Sequence, residues 1–197
     1  MQIKVSAIDR TAEQYEALLE HEEYYAAKVA NLKPESRRRL EVLATRCLLK
    51  EMLHDEQIVS YDQYGAPSLT GSGHYVSISH TDGYVAVVLA DKPVGIDIER
   101  RGRRVERVRS KFMQEAEDVL VEGTPDPVLA MHLIWSAKEA VFKFLGQKYF
   151  DLQNLTCVTS IDFDKKVMAM DVKDLPSALI INFEITEDYV LCFSTLH

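Results

Sequence analysis

The stretch Ile134-Trp135-Ser136-Ala137-Lys138-Glu139-Ala140-Val141-Phe142-Lys143-Phe144-Leu145 constrains the chain more than any other. Ile134, Ala137, Val141, Phe144 and Leu145 recur at helical spacing and predict a buried stripe. Trp135, Glu139 and Lys143 stand four apart and predict a second stripe beside it. Taken alone, this is an ordinary amphipathic helix with one ion pair. A second acidic element upstream, Gly95-Ile96-Asp97-Ile98-Glu99, argues for more. On a strand, Asp97 and Glu99 share one face and Ile96 and Ile98 the other.

The chain has 197 residues, 47% of them hydrophobic, enough for one sizeable core or two small halves. No apolar run approaches the ~18 residues that span a bilayer. Met1 to Ser6 reads as a first strand and not as a signal peptide. Cys47, Cys157 and Cys192 are scattered through apolar segments, as small core residues in a reducing compartment would be. A cytoplasmic location is therefore expected. The net charge of −8 argues against a general nucleic-acid binder. Against it, Arg100 to Lys111 carries six arginines and one lysine with one glutamate. That strip is either a docking site for a local anionic partner or a solvated helix face.

In chain order the pattern predicts a strand at 2–9, a helix from Thr11 to about Ala30, and a long helix from Arg37 to Leu53 behind a Ser36 cap. A turn at 64–68 precedes two strands, 75–80 and 84–90, joined by Thr81-Asp82-Gly83. A strand at 94–99, a helix at about 105–122 and the helix at about 128–145 follow. Strands at about 155–163, 166–170, 178–185 and 189–195 complete the chain. Residues 43–53 set without gaps against 135–145, matching Arg46 to Lys138, and a hairpin follows each helix. The expected fold is α+β: two similar halves, 1–94 and 95–197, related by a pseudo-twofold. Each half is a long helix on a small antiparallel sheet, with the active site in the cleft between them. A chain containing its own cleft predicts a monomer.

Asp97, Glu99 and Glu139, with no His or Cys pair beside them, point to a hard oxygen-seeking ion, Mg²⁺ before Zn²⁺. Mg²⁺ bound by few carboxylates keeps waters and takes a substrate phosphate as a further ligand. Lys143, with Arg46 or Lys138, is then a candidate holder of phosphate oxygens, and His80 a candidate donor to another. Together these residues suggest phosphoryl-group chemistry on a pyrophosphate or similar substrate.

Three blocks carry a family resemblance: Ser77-Ile78-Ser79-His80-Thr81, Val94-Gly95-Ile96-Asp97-Ile98-Glu99, and Trp135 to Lys143. Phe112-Met113-Gln114-Glu115 and Tyr64-Gly65-Ala66-Pro67 are weaker companions. With these the chain resembles the 4′-phosphopantetheinyl transferases, in particular the larger pseudo-dimeric, surfactin-synthetase-activating type. The resemblance implies transfer of phosphopantetheine from coenzyme A to a serine of an acyl or peptidyl carrier protein. It implies Mg²⁺ on Asp97, Glu99 and Glu139, phosphate contacts from Lys143 and His80, and Ser79 close to the coenzyme. Asp97, Glu139 and Lys143 are then the catalytic set, with Glu139 or a metal-held water as the base. Arg46 and Lys138 join Ser79, His80 and Lys143 as coenzyme contacts. Carrier proteins of this kind are acidic, which gives the Arg100–Lys111 strip a partner; neither nucleic acid nor membrane is expected as one.

Two departures stand out. Ala66 takes the place of a frequent lysine in the Tyr64 turn, and Glu41 stands near the place of an arginine for the adenosine-side phosphate, leaving Arg38, Arg39 or Arg46 to substitute. The chain is also short for the larger type. A Mg²⁺-dependent phosphohydrolase and a non-catalytic coenzyme-binding module are the rival readings of the same residues.

Overall fold

In the computed structural model, which describes residues 1–102, 104–146 and 151–195, the chain separates into two units, 1–93 and 94–197. Val94, expected to close the first half, is the first residue of the second.

The first unit is built on α3 (Arg37–Leu53), whose start is fixed by Ser36 Oγ accepting from the Arg39 backbone N–H. Before it come β1 (Gln2–Ala7), α1 (Ala12–Glu16), a 3₁₀ turn (Glu22–Tyr24) and α2 (Ala26–Val29). The single helix expected over 11–30 is thus broken. The Glu56 carboxylate accepts from the backbone N–H groups of Glu20 and His21, which draws those donors out of a helical ladder. After α3 come β2 (Val59–Tyr61), β3 (Pro67–Leu69), β4 (Tyr75–Thr81) and β5 (Tyr84–Ala90). β5 is the centre of an antiparallel sheet ordered β1-β5-β4, and β2 pairs with β3. Gly83, at φ 82°, makes the tight β4–β5 turn. Leu43, Leu48 and Leu49 of α3 close the core against Val76, Val85, Val87 and Leu89, with Tyr15 and Tyr25 beside them.

The second unit begins with β6 (Val94–Arg100), followed by α4 (Arg104–Val108), a 3₁₀ turn (Arg109–Lys111), α5 (Glu115–Glu122) and α6 (Pro127–Phe144). Then come α7 (Leu152–Leu155), β7 (Thr156–Asp162), β8 (Val167–Val172), β9 (Leu179–Ile185) and β10 (Tyr189–Thr195). The helix expected over 105–122 is also interrupted. Phe112 and Met113, 0% and 4% exposed, turn into the core between its two halves. Gln114 then starts a new helix, in a reciprocal cap with Glu117. The sheet is antiparallel, ordered β6-β10-β9-β8-β7, with Asp97 opposite Cys192 and Glu99 opposite Val190. Ala130, Leu133, Ile134, Ala137, Ala140 and Val141 of α6 pack with Met168, Met170, Ile181, Phe183, Val190 and Cys192 of the sheet. Of the predicted stripe, Phe144 and Leu145 are only half-buried. Both units are mixed helix and antiparallel sheet, so the fold is α+β. Among the described residues no helix is long and apolar enough to cross a membrane.

Candidate functional site

The site of the second unit depends on how closely α6 approaches β6. A Cβ on Gly95 would lie 1.9 Å from the Ala140 carbonyl oxygen and 2.7 Å from the Phe144 nitrogen. Hydrogen is therefore the side chain that fits there. Because residues two apart on a strand share a face, Asp97 and Glu99 lie on the α6-facing row that Gly95 begins. The helix meets them with its own polar row. Trp135 Nε1 donates to Glu99 Oε1 at 2.8 Å. Ser136 Oγ donates to the Asp97 carbonyl at 3.1 Å. Lys143 Nζ donates to Asp97 Oδ1 at 2.8 Å and to the Ile96 carbonyl at 3.0 Å. The Trp135 ring is braced edge-on by Phe112, with centroids 5.1 Å apart. Strand and helix motifs thus meet, and Trp135 is the residue that orients Glu99.

Burial and mutual repulsion then act on the carboxylates. Burial, and next the charge of Asp97, push the Glu99 carboxyl up to about 7, despite the opposing Trp135 hydrogen bond and Lys143. Burial and Asp97 likewise raise Glu139, which Lys143 partly offsets. Two carboxyls held up by burial and by the neighbouring Asp97 form a setting that a hard cation relieves, and the donor set is all oxygen. The residues fit such an ion by their chemistry. As they stand they are not closed around one: among the described residues, no three Asp, Glu, His or Cys side chains are assembled as a metal-holding group.

Lys138, expected among the phosphate contacts, is corrected by the structure. It is 0% exposed, and Nζ donates to Glu117 Oε2 at 2.7 Å, the Phe112 carbonyl at 2.6 Å and the Thr156 carbonyl at 3.0 Å. All three ammonium donors are thereby used, and none is left for a ligand. Burial lowers its proton affinity, and Glu117 opposes that. Glu117 also accepts from the Val158 and Gln114 backbone N–H groups. This network ties α5 and β7 to α6.

In the first unit, Ser79 is buried on β4 and His80 lies beside it near the strand end. His80 faces α3, with Nδ1 3.3 Å from Glu41 Oε2 and Nε2 2.6 Å from Arg38 Nη1. Arg46 is 5% exposed, and its Nε and Nη2 have no hydrogen-bond partner among the described residues. The Arg100–Lys111 strip divides in two. Arg101 donates to the Thr186 carbonyl, and Arg109 pairs with Asp118. Arg104, Arg107 and Lys111, three and four residues apart, are exposed. Arg103 lies outside the described residues.

Sequence reasoning named Gly95 only within its motif and did not name Glu117. The glycine carried a signal: glycine inside an apolar strand marks close backbone approach.

Residues 93–194 match the 4′-phosphopantetheinyl transferase superfamily model. The chain belongs to that superfamily. Its Gly95–Glu99 strand and its Trp135–Lys143 helix both lie within the matched residues. The chain is also 30% identical over 88 residues to a 4′-phosphopantetheinyl transferase gsp of Aneurinibacillus migulanus. That stretch covers 44% of this chain and 37% of the relative.

Proposed function

We propose that the protein transfers the 4′-phosphopantetheine group of coenzyme A to a serine of an acyl or peptidyl carrier protein, converting an apo carrier to its holo form. The observation that carries this reading is the meeting of Asp97, Glu99, Glu139 and Lys143 where α6 closes on Gly95, inside the region that matches the superfamily.

In the reaction the serine Oγ bonds to the phosphorus that bears the pantetheine arm. The bond from that phosphorus to the bridging oxygen breaks, and adenosine 3′,5′-bisphosphate leaves. Asp97, Glu99 and Glu139 would hold Mg²⁺, which when bound supplies positive charge against the pyrophosphate oxygens. Glu139, or a water that the ion would hold, is proposed to take the serine proton. Lys143 shares its ammonium between Asp97 and a phosphate oxygen, holding carboxylate and substrate in one register. Ser79, His80 and Arg46 are proposed coenzyme contacts. The exposed Arg104, Arg107 and Lys111 are proposed to steer an acidic carrier.

Intact mass spectrometry of an apo carrier protein incubated with this protein, coenzyme A and Mg²⁺ tests the proposal. The carrier should gain one phosphopantetheine on its serine. Free phosphopantetheine with an unmodified carrier would instead make the protein a hydrolase. An unchanged carrier and unchanged coenzyme would leave a binding module.

A further inference from the structure

The polar row of α6 meets β6 rung by rung. Lys143 reaches Asp97 and the Ile96 carbonyl, Ser136 the Asp97 carbonyl, and Trp135 the Glu99 carboxylate. His132, one turn before Ser136, makes a further rung beyond the carboxylates. It is 5% exposed, and its Nε2 lies 3.0 Å from the Gly102 backbone nitrogen and 2.6 Å from the Gly102 carbonyl oxygen. In either tautomer Nε2 bonds Gly102, as acceptor from the N–H or as donor to the carbonyl. Nδ1 has no partner among the described residues, so the ring's hydrogen bonding there goes to Gly102. Gly102 is itself exposed and stands between the end of β6 at Arg100 and the start of α4 at Arg104. A Cβ on it would meet nothing within 4 Å, and its φ lies outside the left-handed range. The folded backbone therefore does not require a glycine here, and what glycine brings is conformational freedom. Arg101 is held from the other side: its N–H donates to the Asp188 carbonyl at 2.8 Å and its Nη1 to the Thr186 carbonyl at 2.9 Å. Past the joint, Val105 seats α4 in the core through apolar contacts, which fix no direction.

We infer that His132 is a positioning residue: by gripping Gly102 it locks the joint between the carboxylate strand and the exposed Arg104, Arg107 and Lys111, and so fixes how that strip meets an acidic carrier. The inference rests on the proposed carrier-protein reaction and on the steering role proposed for the strip. It gives His132 no contact with coenzyme, ion or carrier. With the ring gone, water satisfies the exposed Gly102 groups, the glycine recovers its freedom, and the strip samples many directions. Carrier affinity then falls by the fraction of molecules that hold the strip in the docking direction. The carboxylate strand keeps its other rungs, from Trp135, Ser136 and Lys143.

The test is steady-state transfer to an apo carrier by His132→Leu, which fills the buried volume and cannot bond Gly102. The KM for the carrier should rise about two- to tenfold, the worth of one hydrogen bond, while kcat and the KM for coenzyme A stay near wild type. His132→Asn, polar but too short to reach Gly102, must show the same loss, which keeps the test decisive should His132→Leu not fold. His132→Gln, whose longer amide reaches the same groups, should recover part of it. So should Gly102→Ala added to His132→Leu, because alanine narrows the freedom of the joint without a clash. A loss of packing alone would not be restored by a change at Gly102. Amide hydrogen exchange across the β6–α4 connection reads the joint with no substrate present: it should quicken in His132→Leu and slow again in the double variant. An unchanged carrier KM in His132→Leu overturns the inference. So does a fall in kcat, or a rise in both KM values, that Gly102→Ala does not reverse. If Arg104→Glu with Arg107→Glu raises the carrier KM and His132→Leu does not, the strip stands and the lock falls. A carrier that gains no mass from wild-type protein overturns the transfer reading and the inference with it, a case that the intact-mass assay records separately.

Discussion

Replacing Glu99 with glutamine should stabilise the metal-free protein at neutral pH and leave it unaffected in acid. In the folded protein burial and the Asp97 charge raise the Glu99 carboxyl from 4.5 to about 7. A carboxyl that binds its proton more tightly when folded makes the protein lose stability as pH rises. The loss begins as pH passes the unfolded value of 4.5 and is complete once it passes the folded value of about 7. At about 1.36 kcal/mol per unit, that interval corresponds to an upper bound on the order of 3 kcal/mol. Glutamine is uncharged throughout and keeps an oxygen to accept from Trp135. Urea unfolding from pH 4.5 to 8 without divalent ions, followed by the fluorescence of the chain's single tryptophan, gives the difference between variant and wild type. It should start near zero and reach 1–3 kcal/mol in favour of Glu99→Gln at pH 7.5. A constant offset across the range, or a difference between variant and wild type that shrinks from pH 5 to pH 7.5, would refute the claim that burial and the Asp97 charge raise Glu99.

Gly95→Ala should force α6 off β6, because the added methyl meets backbone and not a yielding side chain. Thermal melting should show a loss of at least ~1–3 kcal/mol, and transfer activity of the folded fraction should fall with it. Lys138→Met should cost ~3–5 kcal/mol by stranding the buried Glu117 carboxylate, yet leave the coenzyme A affinity of the folded protein unchanged in calorimetry. Arg104→Glu combined with Arg107→Glu should raise the KM for the carrier, flatten the salt dependence of turnover, and leave the KM for coenzyme A nearly unchanged; a wild-type carrier KM would make the strip a solvated face.

The long elements were legible because their periodicity was strong and their signals local. The Ser36 cap placed the start of α3, and the helical periodicity of residues 134–145 placed α6. The Asp97–Glu99 strand and the Glu139–Lys143 helix could be read as chemistry because both carry charge at spacings that share a face. The interrupted helices were not legible. Phe112 and Met113 look like ordinary apolar positions until the core that receives them exists, and Glu56 is remote in sequence from the 20–21 backbone it draws out of helix. Lys138 failed for the same reason. Beside Glu139 in a helix it reads as a second exposed cation, and only the position of Glu117, 21 residues away, shows that it points inward. Glu41 looked like a missing basic contact, and in three dimensions it is the group that orients two others.

The proposed mechanism has Asp97 and Glu139 perform the transfer together. Its most direct test is the rate at which the apo carrier gains mass with Asp97→Asn and Glu139→Gln, each first shown by circular dichroism to be folded. Losing one carboxylate of a charge-stabilising set should lower the rate by roughly 10²-fold or more. Turnover near that of wild type in Asp97→Asn, sustained in excess chelator, would contradict the claim.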